Sequence, residues 1–136
     1  VSPARLTEGA ELEPLVVESV PPEKMKLMAA LLRDPNPIHF DAEAVRRAGM
    51  GDRVINQGPI NQAYLVNLVT RAAGGPDRLR SIQVRFLGNV LAGDRVECRG
   101  RVAAVDEAAG TATLEIEARV GDAPVLAGTA VVTLGP

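Results

Sequence analysis

Asp34 and His39 are the pair in this sequence best suited to move protons. They lie within Arg33-Asp34-Pro35-Asn36-Pro37-Ile38-His39-Phe40, and His39 is the only histidine in the 136 residues. A carboxylate and an imidazole held against one small reactant can exchange protons with a water molecule. Free imidazole titrates near neutrality, which suits a group that must both accept and give a proton. The two prolines fix their own φ angles and push Asp34 and Asn36 into extended backbone, so the loop loses little freedom on folding. The competing reading is plain: a lone histidine is more often a surface or satisfied core residue, and Asp-Pro and Asn-Pro mark turns. Asn36 and the prolines would then only cap the short helix that follows.

A second stretch, Asn56-Gln57-Gly58, precedes the longest helical candidate. N–H groups at a helix N-terminus are unpaired and aligned with the dipole, so they bind a developing oxyanion. The Gly58 N–H is the candidate donor; equally, Gly58-Pro59 could simply open a helix, where proline is favoured. Asn56, Gln57 and Asn36 border the same presumed pocket and are candidate substrate contacts, with Asn36 better suited to fixing the loop than to carrying a proton. Arg78, Arg80 and Arg85 could meet phosphates, but charges alternating along a strand read first as a solvated face. Asp94 follows Gly93 and reads as turn chemistry.

Composition removes other classes. A formal net charge of −2 and three aromatics, Phe40, Tyr64 and Phe86, give neither the field nor the stacking platforms of a nucleic-acid binder. Cys98 is the only cysteine, so no disulfide closes within the sequence and no thiolate zinc site forms; between Val96 and Gly100 it reads as a small inward filler. No basic-then-apolar leader and no long apolar run is present, so a cytoplasmic protein without membrane contact is expected. Apolar content of 46% with 24% charged residues fits one globular domain over residues 1–136, with 1–10 as a loose lead-in.

The elements that must position these residues follow from periodicity. Glu11 to Val20 reads as a strand weakened by Pro14. Ser19 with Pro21-Pro22 and Glu23 reads as a helix start, and Met25, Met28, Ala29, Leu31 and Leu32 give that helix one apolar face ending at Arg33. Asp41 is a plausible N-cap for 42–48, closed by Gly49. Gly58 to Ala73 is the central helix, with Ile60, Tyr64, Leu68 and Ala72 recurring every fourth residue; Arg71 is its only charge, so most of its circumference should be covered. Leu79 to Leu87, Arg95 to Val105, Thr111 to Val120 and Val125 to Leu134 alternate as strands, the last three as an antiparallel meander with one dry face. The pattern is α+β, a helix against an antiparallel sheet.

The Asp-x-Asn-Pro-Ile-His spacing, followed by Gly58 at the head of the central helix, resembles the signature of the MaoC-like, R-specific enoyl-CoA hydratases (hydratase 2 type), over about residues 15 to 134. The resemblance implies a hot-dog fold, in which the curved sheet wraps the long helix. It also implies reversible addition of water to a 2-enoyl thioester of coenzyme A or acyl carrier protein by Asp34 and His39, with Gly58 as oxyanion donor. No metal or redox cofactor is implied. A homodimer is, or a heteromer with a related MaoC-like subunit. Two positions depart from the pattern: Leu32-Arg33 replaces a small-Gly pair, and Gln57 replaces the usual His. The run from Asn56 to Pro59 and Gly88-Asn89 is similar to MaoC-like hydratases of actinobacterial sterol side-chain degradation, so the acyl group is a fatty chain or a sterol side chain. A hot-dog thioesterase is the first alternative; many of these place a catalytic Asp or Glu on the central helix, and 58–73 holds neither, which counts against it. A non-catalytic subunit of a larger hydratase is the remaining alternative.

Overall fold

A computed structural model describes residues 5–135. The chain runs β1 (Leu15–Val17), α1 (Pro22–Leu32), one 3-10 turn (Pro37–His39), α2 (Ala42–Arg47), α3 (Gly58–Ala73), a second 3-10 turn (Pro76–Arg78), β2 (Leu79–Phe86), β3 (Val96–Asp106), β4 (Thr111–Val120) and β5 (Ala123–Thr133). The sheet has the order β1-β3-β4-β5-β2, antiparallel throughout. The meander expected from alternation is β3-β4-β5; β2 adds beyond β5 and forms one edge.

Alternation sets the dry face. Val96, Cys98 and Val102 of β3, Ala112, Leu114, Ile116 and Ala118 of β4, and Leu126, Ala130 and Val132 of β5 are buried. They meet Leu65, Leu68, Val69 and Ala73 of α3 in one apolar cluster, and α3 touches all five strands. Burial of this surface supplies the main stabilising term, about 25 cal/mol per Å². Among the described residues no helix is long and apolar enough to cross a membrane.

The structure departs from the sequence reading at three places. The strand expected over Glu11 to Val20 is split at Pro14, which has no N–H to give. Glu11 bridges Arg101, and the Gly9 and Leu12 N–H groups bond the Val102 and Gly100 carbonyls, each at 2.8 Å. The lead-in from Gly9 is therefore laid along β3, while residues 1–4 of it lie outside the described residues. The first helix starts at Pro22, capped by Pro21 without a side-chain bond; Ser19 is too early, because Val20 is taken up in a backbone pair with Gly93 and Asp94. On α3 the buried residues are Ile60, Asn61, Leu65, Leu68, Val69 and Ala73: Ile60 and Leu68 of the expected line are covered, Tyr64 and Ala72 only partly so, Asn61 is buried against expectation, and Ala63, Asn67 and Arg71 remain exposed.

Gly128 of β5 lies opposite Val84 of β2, and a methyl there would overlap the Gln83 carbonyl and the Val84 backbone. Gly128→Ala is expected to lower stability by about 3 kcal/mol or more in chemical denaturation; an unchanged midpoint would mean that β2 yields freely. Burial, with the Glu97 charge second, pushes the Cys98 thiol up to about 12. A thiol reagent at pH 8 should leave the native protein untouched and label one equivalent after denaturation.

Candidate active site

The turn that carries the acid and the imidazole is built by backbone constraint. α1 ends with Arg33 in a left-handed conformation, φ 52°, and the Asp34 N–H returns to the Ala29 carbonyl at 2.9 Å. Asn36 is extended, φ −65° and ψ 113°, as the following proline requires. Its N–H donates to Asp34 Oδ1 at 3.0 Å, and its own Oδ1 accepts from the Ile38 N–H at 3.3 Å. The Phe40 and Asp41 N–H groups both close on the Pro37 carbonyl. Asp41 then caps α2, accepting from Glu43 N–H at 2.9 Å, with Gly49 left-handed beyond it.

With Oδ1 of Asp34 anchored, Oδ2 faces His39 Nε2 at 3.4 Å, the aspartate side chain one-third exposed and the imidazole nearly buried. On the other side of the ring, Nδ1 lies 2.6 Å from the Ile55 carbonyl oxygen. A carbonyl can only accept, so Nδ1 carries the hydrogen. In the neutral ring Nε2 is then a bare acceptor facing a carboxylate oxygen, another acceptor. A molecule with two hydrogens satisfies both: a water about 2.8 Å from each closes a triangle on the 3.4 Å base.

Ile55 belongs to an extended strap, 54–57, that links this turn to α3. The Ile55 N–H bonds the Ile38 carbonyl at 2.9 Å, the Asn56 N–H bonds Val90 at 2.7 Å and the Ala92 N–H bonds Val54 at 2.9 Å. Arg53 braces the strap from outside, reaching Asp94 Oδ1 at 2.9 Å, while Asp94 Oδ2 accepts from the Leu91 N–H, the turn role its position suggested. Asn56 Nδ2 donates to Asn61 Oδ1 at 2.8 Å and meets the Tyr64 hydroxyl at 3.3 Å. Burial pushes the Tyr64 phenol up, partly offset by that bond. Gln57 Nε2 donates to the Met25 carbonyl of α1 at 2.8 Å. This fixes the amide orientation, since two carbonyls cannot pair, and leaves Oε1 buried without a donor among the described residues.

Two residues separate Ile55 from Gly58, three Cα steps or at most about 11 Å of chain, so the dyad and the head of α3 lie within the reach of one small acyl group. At that head the Ile60 and Asn61 N–H groups turn back on the Gln57 carbonyl, Pro59 has none, and the Gly58 N–H takes no acceptor among the described residues. Asp34, His39 and Asn36 share the turn; Asn56 and Gln57 share the strap, and Gly58 opens α3. Arg80 and Arg85 stand exposed on β2, with Arg78 at its start. Arg85 helps line a depression of about 550 Å³ on the outer sheet face with Arg99, Arg101, Glu115 and Glu117, which holds neither Asp34 nor His39. Among the described residues no three His, Cys, Asp or Glu side chains gather as metal ligands.

Two participants escaped the sequence reading. The Ile55 carbonyl is main chain and has no residue-type signature. Phe86 had one: Ile82, Val84 and Phe86 share the inward side of β2, and the last of these runs past the core to the head of α3.

The model of the MaoC like domain matches residues 5–123. No curated protein matches the chain. An (R)-hydratase from A. caviae involved in PHA biosynthesis is 26% identical, over 96% of this chain and 98% of that one, with a TM-score of 0.85. A chain of the ChsH1-ChsH2 complex from Mycobacterium tuberculosis is 23% identical, over 95% and 98%, at 0.82. The R-hydratase PhaJ1 from Pseudomonas aeruginosa is 20% identical, over 95% and 82%, at 0.81. The fold is the hot-dog fold of these neighbours, a five-stranded antiparallel sheet packed on one long helix. With the family model spanning most of its length, this chain belongs to the MaoC-like domain family, whose structural neighbours include R-hydratases and dehydratases.

Proposed function

We propose that the chain is an R-specific 2-enoyl-thioester hydratase, run in reverse as a 3-hydroxyacyl-thioester dehydratase, with Asp34 and His39 as its dyad. The observation that carries this reading is the pair of acceptors left facing one gap once the Ile55 carbonyl has taken the Nδ1 hydrogen. A water held there gives one hydrogen to each. His39 Nε2 removes a proton as the water oxygen bonds to C3 of the enoyl group; the electron pair of the C2–C3 double bond moves toward the thioester carbonyl. The Gly58 N–H, aided by the α3 dipole, receives that charge. The proton held on His39 then returns to C2, so atoms and charge balance without a further reactant. Both additions come from one face, and Asp34 stabilises the imidazolium between them.

Asn36 serves this reading by holding Asp34 Oδ1, and Asn56 by fixing the head of α3. Gln57 retains one free acceptor beside the substrate position. The carrier is coenzyme A or acyl carrier protein, and the acyl group a fatty chain or a sterol side chain. Neither a metal nor a redox cofactor enters these steps. The edge of β2, unpaired in the monomer, invites pairing with a second copy, giving a homodimer; likeness to a chain of a two-component complex favours a related, non-identical partner as the second reading.

Hydration of crotonyl-CoA, followed as loss of enoyl absorbance with chiral analysis of the product, tests the activity. Asp34→Asn and His39→Gln should each lower kcat by roughly 10²- to 10⁴-fold with the thermal midpoint little changed; full turnover in either variant returns the pair to a structural role, and thiol release without hydroxyacyl product would make the chain a thioesterase. Because His39 is the only histidine, a long-range nitrogen–proton spectrum reports its tautomer without ambiguity. The neutral ring should carry its proton on Nδ1; a ring protonated mainly on Nε2 would remove the water-holding acceptor pair.

A further inference from the structure

Phe86 is the last residue of the edge strand β2 and 54% exposed. Its ring nevertheless lies on the head of α3. A Cβ at Gly58 would stand 3.2 Å from Phe86 Cε1 and 3.4 Å from Cζ, so any larger residue there would make the ring give by a few tenths of an ångström. The ring therefore lies against the first residue of α3 while much of the side chain stays open to another surface. Gln57, the residue before this helix head, is 1% exposed and keeps a buried oxygen without a donor among the described residues, an arrangement that leaves hydrogen-bonding capacity for a bound group. An N–H that takes a carbonyl oxygen, flanked by an aromatic ring with an open side, is a place where a thioester can lose its water.

We infer that Phe86 is a specificity-determining residue: its exposed ring side packs against the thioester end of the substrate and excludes water from the carbonyl oxygen on Gly58. This rests on the hydratase reading for the identity of the reaction, and on the Phe86–Gly58 contact for the place of binding. The ligand class is an acyl thioester whose carbonyl-proximal carbons are apolar. The ring contributes mainly to binding, because it offers contact and desolvation and no proton.

Phe86→Ala should raise KM for crotonyl-CoA about tenfold while kcat falls less than threefold, and Phe86→Leu should recover part of the loss. A merely structural contact would move neither constant selectively. The chain has no tryptophan, so Phe86→Trp provides a lone fluorophore at the site. Titration with the unreactive butyryl-CoA should shift its emission saturably, and free coenzyme A should not reproduce the shift. If the wild type hydrates crotonyl-CoA but Phe86→Ala leaves KM unchanged and the tryptophan is silent, the inference is overturned and the hydratase reading stands. If the tryptophan responds but no hydration occurs, the reading of the reaction falls and the binding role of Phe86 survives. Silence in both overturns both.

Discussion

The bond from His39 Nδ1 to the Ile55 carbonyl, 2.6 Å long and buried, is the constraint on which the site depends. It decides which face of the imidazole is a donor and which an acceptor. In the other neutral tautomer the ring would present N–H to Asp34 Oδ2, and the two would satisfy each other as an ordinary structural pair. With the hydrogen held on Nδ1, the neutral ring turns its lone pair toward the carboxylate, and a third molecule is needed to reconcile them. The carbonyl can hold the ring because it is itself held: the strap is tied on both sides, to Ile38 and to Val90, and pinned from outside by Arg53 and Asp94. The sheet and the outer ion pair therefore act on the chemistry through one main-chain oxygen.

The same strap sets the distance between the dyad and the head of α3. Its backbone holds the imidazole at Ile55, and its continuation, Gln57, ends in the helix cap and reaches back to α1 through Met25. α1 in turn delivers Asp34. The three groups are thus joined by a closed circuit: the chain links α1 to the turn and the strap to α3, and short hydrogen bonds from His39 to Ile55 and from Gln57 to Met25 close it. Loops this short and doubly tied have few alternative conformations to lose, and positioning of this kind is what converts reactive groups into a site. The left-handed Arg33 is the strained point of the circuit, costing about 1 kcal/mol where a glycine would adopt the conformation freely.

That last detail shows how far the sequence could be read. The prolines around Asn36 dictated an extended backbone, and the spacing of Asp34 and His39 did bring them together. α3 and β4 fall where their periodicity put them, because both carry long, uninterrupted patterns. The substitution of Leu32-Arg33 for a small-Gly pair was visible, but its meaning, a forced left-handed residue, is a backbone angle and needs coordinates. The burial of Asn61 on α3 was hidden in the same way. Asn61 is polar by type and buried in fact, because Asn56 supplies its partner, and no window of hydropathy registers a side chain satisfied from a neighbouring strap. The early strand was divided at Pro14, as that residue's missing N–H warned, whereas the helix start at Ser19 failed because pairing of Val20 to a distant loop overrode the local signal.

Fold alone does not choose the reaction, since one hot-dog scaffold carries both hydration and thioester hydrolysis. In both reactions a water is deprotonated and charge gathers on the thioester oxygen, so the dyad and the Gly58 N–H would serve either. The two differ in which carbon meets the water: C1 for hydrolysis, C3 for hydration, two bonds further along the acyl group. The choice is therefore one of separation between the water and the oxyanion donor. A base on α3 itself would stand beside C1, and α3 has no carboxylate. Here Asp34 and His39 sit on a separate turn, joined to the helix head through the strap, and under the proposed hydratase reading that offset would set a water beyond C1. On that reading the length of the strap matters to the chemistry as much as the residues it joins.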